Sequence, residues 1–272
     1  MFQPLIPVSL AGAPPAPPVV FLHGFLGDAS DWRAVAEALA PEHHVLAVDL
    51  PGHGPDATPT TMGLDACAEA LLAGFARAGL RRPDVAGYSM GGRISLYLAR
   101  RYPDRVGRLV LESASPGIAD AAQRASRAVQ DAALAERLAA MEPGGAAFRA
   151  FLEEWYAMSL FSTLQRRPEL LEPLIARRLT RCVPAAVGSS LTGLGTGAQA
   201  SLWEELHALK APALAITGED DRKFRIIAED MALACPAMAT EILTGCGHNV
   251  HLENHEAFVT VVRAFLHPNG GP

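Results

Sequence analysis

The sequence has few cysteines, and they follow no recognisable pattern. Among 272 residues there are four, Cys67, Cys182, Cys235 and Cys246, with no CxxC pair and no spacing typical of metal ligands. A chain of this length does not need covalent cross-links to stabilise its fold. We therefore expect reduced, mostly buried thiols, and neither a disulfide framework nor a metal.

The sequence also lacks an excess of positive charge. Lys and Arg number 23 against 29 Asp and Glu, which gives a net charge of −6. No broad basic face is available for nucleic acid or anionic lipid, so any anionic ligand must meet a local cationic pocket. Residues 1–18 have no Lys/Arg-rich start, and prolines interrupt their apolar stretches, so they are typical of neither a signal peptide nor a membrane anchor. We expect a cytoplasmic protein, monomeric or weakly homo-oligomeric, with no nucleic-acid or membrane partner.

Half of the residues are hydrophobic and 19% are charged, a composition typical of a soluble globular protein. No internal repeat stands out. Short apolar runs alternate with amphipathic segments, which predicts a parallel sheet flanked by helices. The predicted strands are 19–22, 44–48, 84–87, 109–112, 213–217 and 240–243, and the predicted helices are 31–39, 64–78, 91–101, 224–234 and 256–266.

This alternation stops in the middle of the chain. Residues 116–209 are rich in Ala and Arg, have helical spacing and are punctuated by prolines, with no strand-like run. We predict an α/β fold with a mostly parallel, doubly wound sheet. Its core is formed by residues 1–115 and 210–272, and residues 116–209 form an inserted helical cap.

A sharp turn carrying a serine is predicted between the strand at 84–87 and the helix at 91–101. Gly87-Tyr88-Ser89-Met90-Gly91-Gly92 matches G-x-S-x-G in that strand–turn–helix context. Small residues flank the serine because larger side chains would collide in so tight a turn. The pattern predicts that Ser89 is a nucleophile or base held at the carboxyl edge of the sheet.

A serine hydroxyl needs an imidazole to take its proton and a carboxylate to orient that imidazole. His248 follows the last predicted strand and is the preferred histidine, with His251 and His255 as rivals to which we assign a surface or capping role. Asp221 follows the preceding strand and is the preferred acid, with Asp220 as the second candidate. The order Ser, Asp, His is that of α/β-hydrolases.

An oxyanion hole needs two backbone N–H donors, one after the serine and one from the loop after the strand at 19–22. Met90 and Phe25 occupy these positions. An ordinary strand-to-helix turn also explains the glycines around Phe25. His23, in the same loop, is interpreted as structural.

Four segments together resemble the family of 2-succinyl-6-hydroxy-2,4-cyclohexadiene-1-carboxylate (SHCHC) synthases, or MenH, over nearly the whole chain. They are His23-Gly24-Phe25-Leu26-Gly27, Gly87 to Arg93, Gly218 to Phe224 and Gly245-Cys246-Gly247-His248-Asn249. The resemblance implies an α/β-hydrolase fold and a lyase of menaquinone biosynthesis. That lyase eliminates pyruvate from 2-succinyl-5-enolpyruvyl-6-hydroxy-3-cyclohexene-1-carboxylate without a metal or an organic cofactor.

Such a substrate carries three carboxylates and needs cationic partners. By resemblance, Arg93 and Arg127 bind carboxylates, and Tyr88, Trp155, Lys223 and Arg124 are further candidates for substrate contact. Alternatives stay open: a solvated helix face explains a cap arginine, the cap interior explains Trp155 or Tyr156, and Lys223 could lie at the surface.

The fold alone does not determine the reaction. A serine esterase or a C–C bond hydrolase of the same fold is the main alternative to the lyase. A non-catalytic receptor for a small ligand is a third hypothesis of a different class. Pyruvate release, measured beside hydrolysis of a short-chain ester, discriminates between the three.

Overall fold

The computed structural model describes residues 5–267, and its framework is a seven-stranded sheet. The strand order is β1-β3-β2-β4-β5-β6-β7, with β1 antiparallel to β3 and every other neighbouring pair parallel. The strands are β1 (Val8–Ala11), β2 (Pro18–Leu22), β3 (His44–Val48), β4 (Asp84–Tyr88), β5 (Leu109–Glu112), β6 (Ala213–Gly218) and β7 (Met238–Leu243).

Helices cover both faces of this sheet. Successive side chains of a strand point to opposite faces, so both faces of a central strand must be apolar here. In β2, Val19 and Phe21 pack on one face, and Val20 and Leu22 on the other. The first face is covered by α1 (Arg33–Leu39) and α10 (His255–Leu266), and the second by α2 (Leu64–Arg77), α3 (Met90–Arg101) and α8 (Arg222–Ala234).

The segment between β5 and β6 is helical and has its own apolar cluster. It contains α4 (Ala121–Ala139), α5 (Ala146–Tyr156), α6 (Pro168–Arg181) and α7 (Pro184–Leu194), and the short α9 (Val250–Glu253) follows later in the chain. Leu26, from the loop after β2, packs into this cluster. Ion pairs of Arg181 with Asp28 (2.6 Å) and of Arg178 with Asp31 (2.7 Å) attach α6 to the same loop.

The structure confirms the predicted α/β class and its mostly parallel, doubly wound sheet. All six predicted strands are present, each within two residues of its expected bounds. The edge strand β1 and helix α9 were not predicted. The predicted helix at 31–39 begins at Arg33, because a 3-10 turn, Ala29–Trp32, precedes it.

All four cysteines are free and buried, and burial raises the pKa of the Cys67, Cys182 and Cys246 thiols to about 12. Among residues 5–267, no helix combines the length and the apolar character needed to cross a membrane.

The topology creates a crevice at one point of the sheet. The chain leaves β2 towards β3 on one side, whereas β4 is followed by β5 on the other side. The loops after β2 and β4 therefore diverge at the carboxyl edge, which is where open α/β sheets bind ligands. The loop after β2 contains His23 to Gly27, and the turn after β4 contains Ser89.

Candidate active site

Ser89 lies at the tip of a tight turn between β4 and α3. Its backbone has φ 50° and ψ −105°, a left-handed conformation that a non-glycine residue adopts only when its surroundings enforce it. The enforcing contacts are close. A Cβ on Gly87 would lie 2.4 Å from the Gly91 oxygen, and one on Gly91 would lie 2.2 Å from the Leu22 oxygen. Packing that only glycine permits thus holds Ser89 at the sheet edge, where it is partly exposed.

The structure brings Ser89, His248 and Asp221 together. His248 lies in the loop after β7 and is 2% exposed, with Nε2 3.3 Å from Ser89 Oγ and Nδ1 2.7 Å from Asp221 Oδ2. A carboxylate only accepts hydrogen bonds, so the proton of a neutral imidazole resides on Nδ1, and the Nε2 lone pair faces the serine. Asp220, the second candidate acid, is exposed and outside this arrangement.

The two expected oxyanion donors lie in the segments that flank the crevice. Met90 is the first residue of α3, and the first N–H groups of a helix have no partner within the helix. Phe25 is half-buried in the loop after β2, directly before Leu26, which has φ 66°. A Cβ on Gly24 would lie 2.6 Å from the Tyr88 ring, so the tyrosine beside the serine packs directly on this loop.

Aromatic rings surround the His248 imidazole. Ring centroids of Tyr88, Phe161 and Phe224 lie 5.4, 5.9 and 4.6 Å from it. Trp155 is half-buried in α5 and contacts Phe25 at 5.3 Å and Phe161 at 6.4 Å. Burial, with the Glu112 charge second, raises the pKa of the Tyr88 hydroxyl well above its usual value, so this phenol stays neutral.

Arg93 is buried and held by the protein itself. It is 7% exposed, and it donates from Nη1 to Gln199 Oε1 (2.6 Å) and from Nη2 to the Leu194 carbonyl (2.7 Å). Burial lowers the pKa of Arg93 to about 10, with the nearby charge of Arg127 as the second cause. The guanidinium therefore stays charged at neutral pH. It connects α3 to the end of α7, an attachment that sequence reasoning did not anticipate.

Arg124 and Arg127 both lie on α4 and differ in what they contact. Arg127 is partly exposed and pairs with the buried carboxylate of Asp131 through Nε, at 2.7 Å. Arg124 donates to the carbonyls of Ile118 (2.8 Å) and Ala119 (3.2 Å), which closes the segment before α4. Since this ion pair uses Nε, the Nη groups of Arg127 remain for a ligand near Arg93. Arg124 instead fixes the segment that precedes α4.

Lys223 is exposed, and its Nζ lies 5.5 Å from the centroid of the Phe224 ring. Since Phe224 contacts His248, Lys223 lies on the solvent side of the aromatic rings that surround the imidazole. Among residues 5–267, no group of three or more His, Cys, Asp or Glu side chains is arranged to hold a metal ion.

The surface or capping role expected for His251 is wrong. His251 is 8% exposed, and its Nδ1 lies 2.7 Å from Oε2 of the buried Glu112. The centroid of its ring lies 4.4 Å from that of Trp32, and the two rings are tilted by 35°. The pairing joins residues 139 positions apart, so a sequence pattern could not reveal it. The one available signal was a carboxylate closing the apolar run Leu109-Val110-Leu111-Glu112.

Sequence reasoning also missed Glu253, which braces the His248 loop. Its buried carboxylate accepts from the backbone N–H of Gly247 (3.1 Å) and of Asn249 (3.2 Å), on either side of the histidine. These two hydrogen bonds therefore fix the main chain on both sides of His248.

Comparison with known proteins identifies the family of the chain. A family model described as the alpha/beta hydrolase fold matches residues 17–255. The chain is 35% identical over 251 residues to the 2-succinyl-6-hydroxy-2,4-cyclohexadiene-1-carboxylate synthase of Serratia proteamaculans (strain 568), covering 92% of this chain and 93% of the relative.

Two solved structures are also similar. MenH from S. aureus superposes with a TM-score of 0.86 at 32% identity, covering 94% of this chain and 95% of that one. A thermophilic esterase from Thermogutta terrifontis superposes with a TM-score of 0.78 at 26% identity, covering 96% and 97%.

Proposed function

The chain belongs to the SHCHC synthase (MenH) family of the α/β-hydrolase fold, and we propose that it catalyses the reaction for which these relatives are named. It eliminates pyruvate from 2-succinyl-5-enolpyruvyl-6-hydroxy-3-cyclohexene-1-carboxylate and releases SHCHC. The observation that supports assigning this reaction to particular residues is the hydrogen-bonded arrangement of Ser89, His248 and Asp221.

In this proposal Ser89 acts as a base and not as an acyl acceptor. His248 Nε2 accepts the serine proton while Ser89 Oγ removes the acidic proton beside the succinyl ketone. The electron pair of that C–H bond forms a new ring double bond, the existing ring double bond shifts, and the C–O bond to the enolpyruvyl group breaks. The departing enolpyruvate is protonated and becomes pyruvate. Asp221 orients the imidazole and stabilises its protonated form.

The backbone N–H groups of Phe25 and Met90 are the proposed donors to negative charge developing on a substrate oxygen. In comparable oxyanion holes one donor stabilises the transition state by about 3 kcal/mol. In support, Met90 directly follows Ser89, and Phe25 lies in the loop after β2, the strand that pairs with β4.

Arg127 and Arg93 are the proposed partners of substrate carboxylates, and Tyr88 and Trp155 the proposed walls of the pocket. Burial lowers the pKa of Arg93 and the charge of Arg127 lowers it further, although the Asp131 carboxylate, which pairs with Arg127, acts in the opposite direction. The two arginines are thus near enough to act on one anionic ligand. Arg124 and Lys223 have weaker support, since one braces a loop and the other is exposed. We further propose a cytoplasmic, monomeric or weakly oligomeric enzyme that acts on a small polycarboxylate.

The decisive measurement is pyruvate release from the enolpyruvyl substrate by purified protein, beside hydrolysis of a short-chain ester. We expect pyruvate release and, for Ser89→Ala and His248→Ala, a loss of several powers of ten with an unchanged circular dichroism spectrum. Ester hydrolysis without pyruvate release would assign the chain to the esterases. A near-wild-type rate for His248→Ala combined with an inactive, folded His251→Ala would move the role to the other histidine.

Arg127 tests the anionic substrate separately from the triad. Arg127→Ala leaves a substrate carboxylate unmatched, and we expect a loss of about 2 to 5 kcal/mol in transition-state binding of the tricarboxylate. Hydrolysis of a neutral ester should hardly change, and Arg127→Lys should restore only part of the lyase rate. The exposed Arg149→Ala is the matched control on α5. Normal processing of the tricarboxylate by Arg127→Ala would remove this residue from the site.

A further inference from the structure

His251 and Glu112 form a second imidazole–carboxylate pair, and the His251 ring lies 5.2 Å from that of Tyr88. Glu112, at the carboxyl end of β5 and 1% exposed, accepts from the backbone N–H of His251 (2.9 Å) and faces Nδ1 of the same residue (2.7 Å). As in the pair of Asp221 and His248, the carboxylate places the imidazole proton on Nδ1. The Nε2 of His251 then carries a lone pair, and no hydrogen bond within residues 5–267 involves that atom.

His251 lines a cavity of about 440 Å³ at the junction of α1, α6 and α9. This volume is in the range of small-molecule sites. Its wall includes Asn249, Arg33, Arg177 and Arg178, but neither Ser89 nor His248. The cavity is therefore separate from the candidate active site, although Asn249 directly follows His248 in the chain.

Two buried polar atoms on the cavity residues lack a partner. Asn249 is 4% exposed, and its Oδ1 has no hydrogen-bond donor in the described part of the chain. The Nε–H of Arg177 is buried without an acceptor there. Burying an unsatisfied polar atom is costly, so these atoms favour a ligand that offers both an acceptor and a donor.

Three arginines line the cavity wall, and Arg177 keeps one donor that no acceptor satisfies in the described part of the chain. Asp31 is already matched, by Arg178 through two 2.7 Å contacts and by Arg177 at 2.9 Å. Although burial alone would raise it, the neighbouring arginines lower the pKa of Asp31 to about 2. The remaining carboxylate of the wall is Glu37, and the Glu112 carboxylate lies next to the wall, in contact with His251.

We propose that this cavity is a second binding site that takes a small hydroxycarboxylate, through its Arg177, Asn249 and His251 side chains. The ligand carboxylate accepts from the Arg177 Nε–H. The ligand hydroxyl donates to the His251 Nε2 lone pair or to Asn249 Oδ1. A bound ligand would connect the cap helix α6 to the segment that follows His248.

The test is an NMR titration with 3-hydroxybutyrate, and with butyrate as the matched probe that lacks the hydroxyl. We expect saturable shifts of the His251 ring and the Asn249 side-chain amide, with butyrate binding at least about tenfold more weakly because one hydrogen bond to a buried acceptor is missing. Ser89→Ala should bind 3-hydroxybutyrate as the wild type does. Shifts confined to the surroundings of Ser89, or none at His251 and Asn249, would overturn the proposal.

Arg177→Gln removes the positive charge of the guanidinium, and Arg178 still pairs with Asp31 in this variant. We expect it to bind 3-hydroxybutyrate at least about tenfold more weakly, and Arg177→Lys to fall between it and the wild type. Arg166→Gln is the matched control, an exposed arginine shortly before α6 that does not line the cavity. Unchanged affinity in both Arg177 variants would refute the site, and thermal unfolding establishes that each variant is folded.

Discussion

At the scale of a residue, the neighbouring Asp220 and Asp221 have the same side chain but different surroundings. Asp221 is 5% exposed, caps the start of α8 through the Phe224 N–H (3.4 Å) and faces His248 with its other oxygen (2.7 Å). Asp220 points to solvent. The two side chains have the same chemistry, so only their direction from the loop after β6 distinguishes them.

Asp221→Asn should therefore damage turnover far more than Asp220→Asn. An amide at position 221 can donate to His248 Nδ1, which favours the tautomer whose Nε2 carries the proton and cannot accept one from Ser89. We expect kcat for pyruvate release to fall at least about a hundredfold in Asp221→Asn and to stay within about twofold in Asp220→Asn. Equal rates for wild type and Asp221→Asn would exclude the orienting role.

Residues in short motifs were predictable, whereas residues that act through distant partners were not. Ser89, His248 and Asp221 each follow a predicted strand, and parallel strands deliver their carboxyl ends to one edge. His251 resembled a helix-start residue because its partner Glu112 belongs to another strand. Arg93 was expected near the site because it follows Ser89 by four residues, but its contacts with Leu194 and Gln199 depend on how the helices between β5 and β6 pack on α3.

At the scale of elements, the loop that carries His248 is held from two directions. The carboxylate of Glu253 in α9 accepts from the N–H groups of Gly247 and Asn249. On the other side, Arg167 at the start of α6 donates to the carbonyls of Gly245 (2.7 Å) and Glu253. The loop that positions the imidazole is thereby attached both to α9 and to the start of α6.

Glu253→Gln should impair catalysis without weakening substrate binding. The amide side chain retains one acceptor oxygen where two N–H groups need one each, so one of them loses its partner. We expect kcat to fall about tenfold with KM nearly unchanged, and the free energy of unfolding to fall by about 1 to 3 kcal/mol.

The exposed Glu256→Gln, in the first turn of α10, is the matched control and should change neither quantity by more than a small amount. Steady-state kinetics and urea unfolding measure both effects. A Glu253→Gln enzyme with wild-type kcat would show that α9 does not position His248.

The elements themselves were largely readable, and the exceptions have physical reasons. Central strands such as β2 and β6 are apolar on both faces and stand out as continuous runs. The edge strand β1 is partly exposed and lies in a proline-containing stretch, so its sequence carries little strand signal. Helix α9 spans only four residues, too few for a periodic pattern.

At the scale of the whole molecule, burial of histidines determines how stability depends on pH. His23 is fully buried, and its Nε2 accepts from the Leu50 N–H at 2.9 Å, which requires a neutral ring. Burial lowers the pKa of His23, of His43 and of His53, in the last case to about 3. The folded protein therefore keeps these three rings neutral at pH values where the unfolded chain protonates them.

The free energy of unfolding should consequently decrease as the pH falls below 6.5. Above that pH neither state protonates these rings, so their contribution is complete; below it the unfolded state gains protons, and for His53 the loss continues to about pH 3. For His53 this loss is about 1.4 kcal/mol per pH unit, or about 2 kcal/mol between pH 6.5 and 5, and the lowered pKa values of His23 and His43 act in the same direction. Urea unfolding from pH 7.5 to 5 measures the slope. His53→Asn should lose the contribution of His53 to this dependence on pH, whereas the exposed His207→Gln should match the wild type. A stability that stays flat over this range would mean that these buried rings are protonated in the folded state, against the acceptor role of His23 towards Leu50.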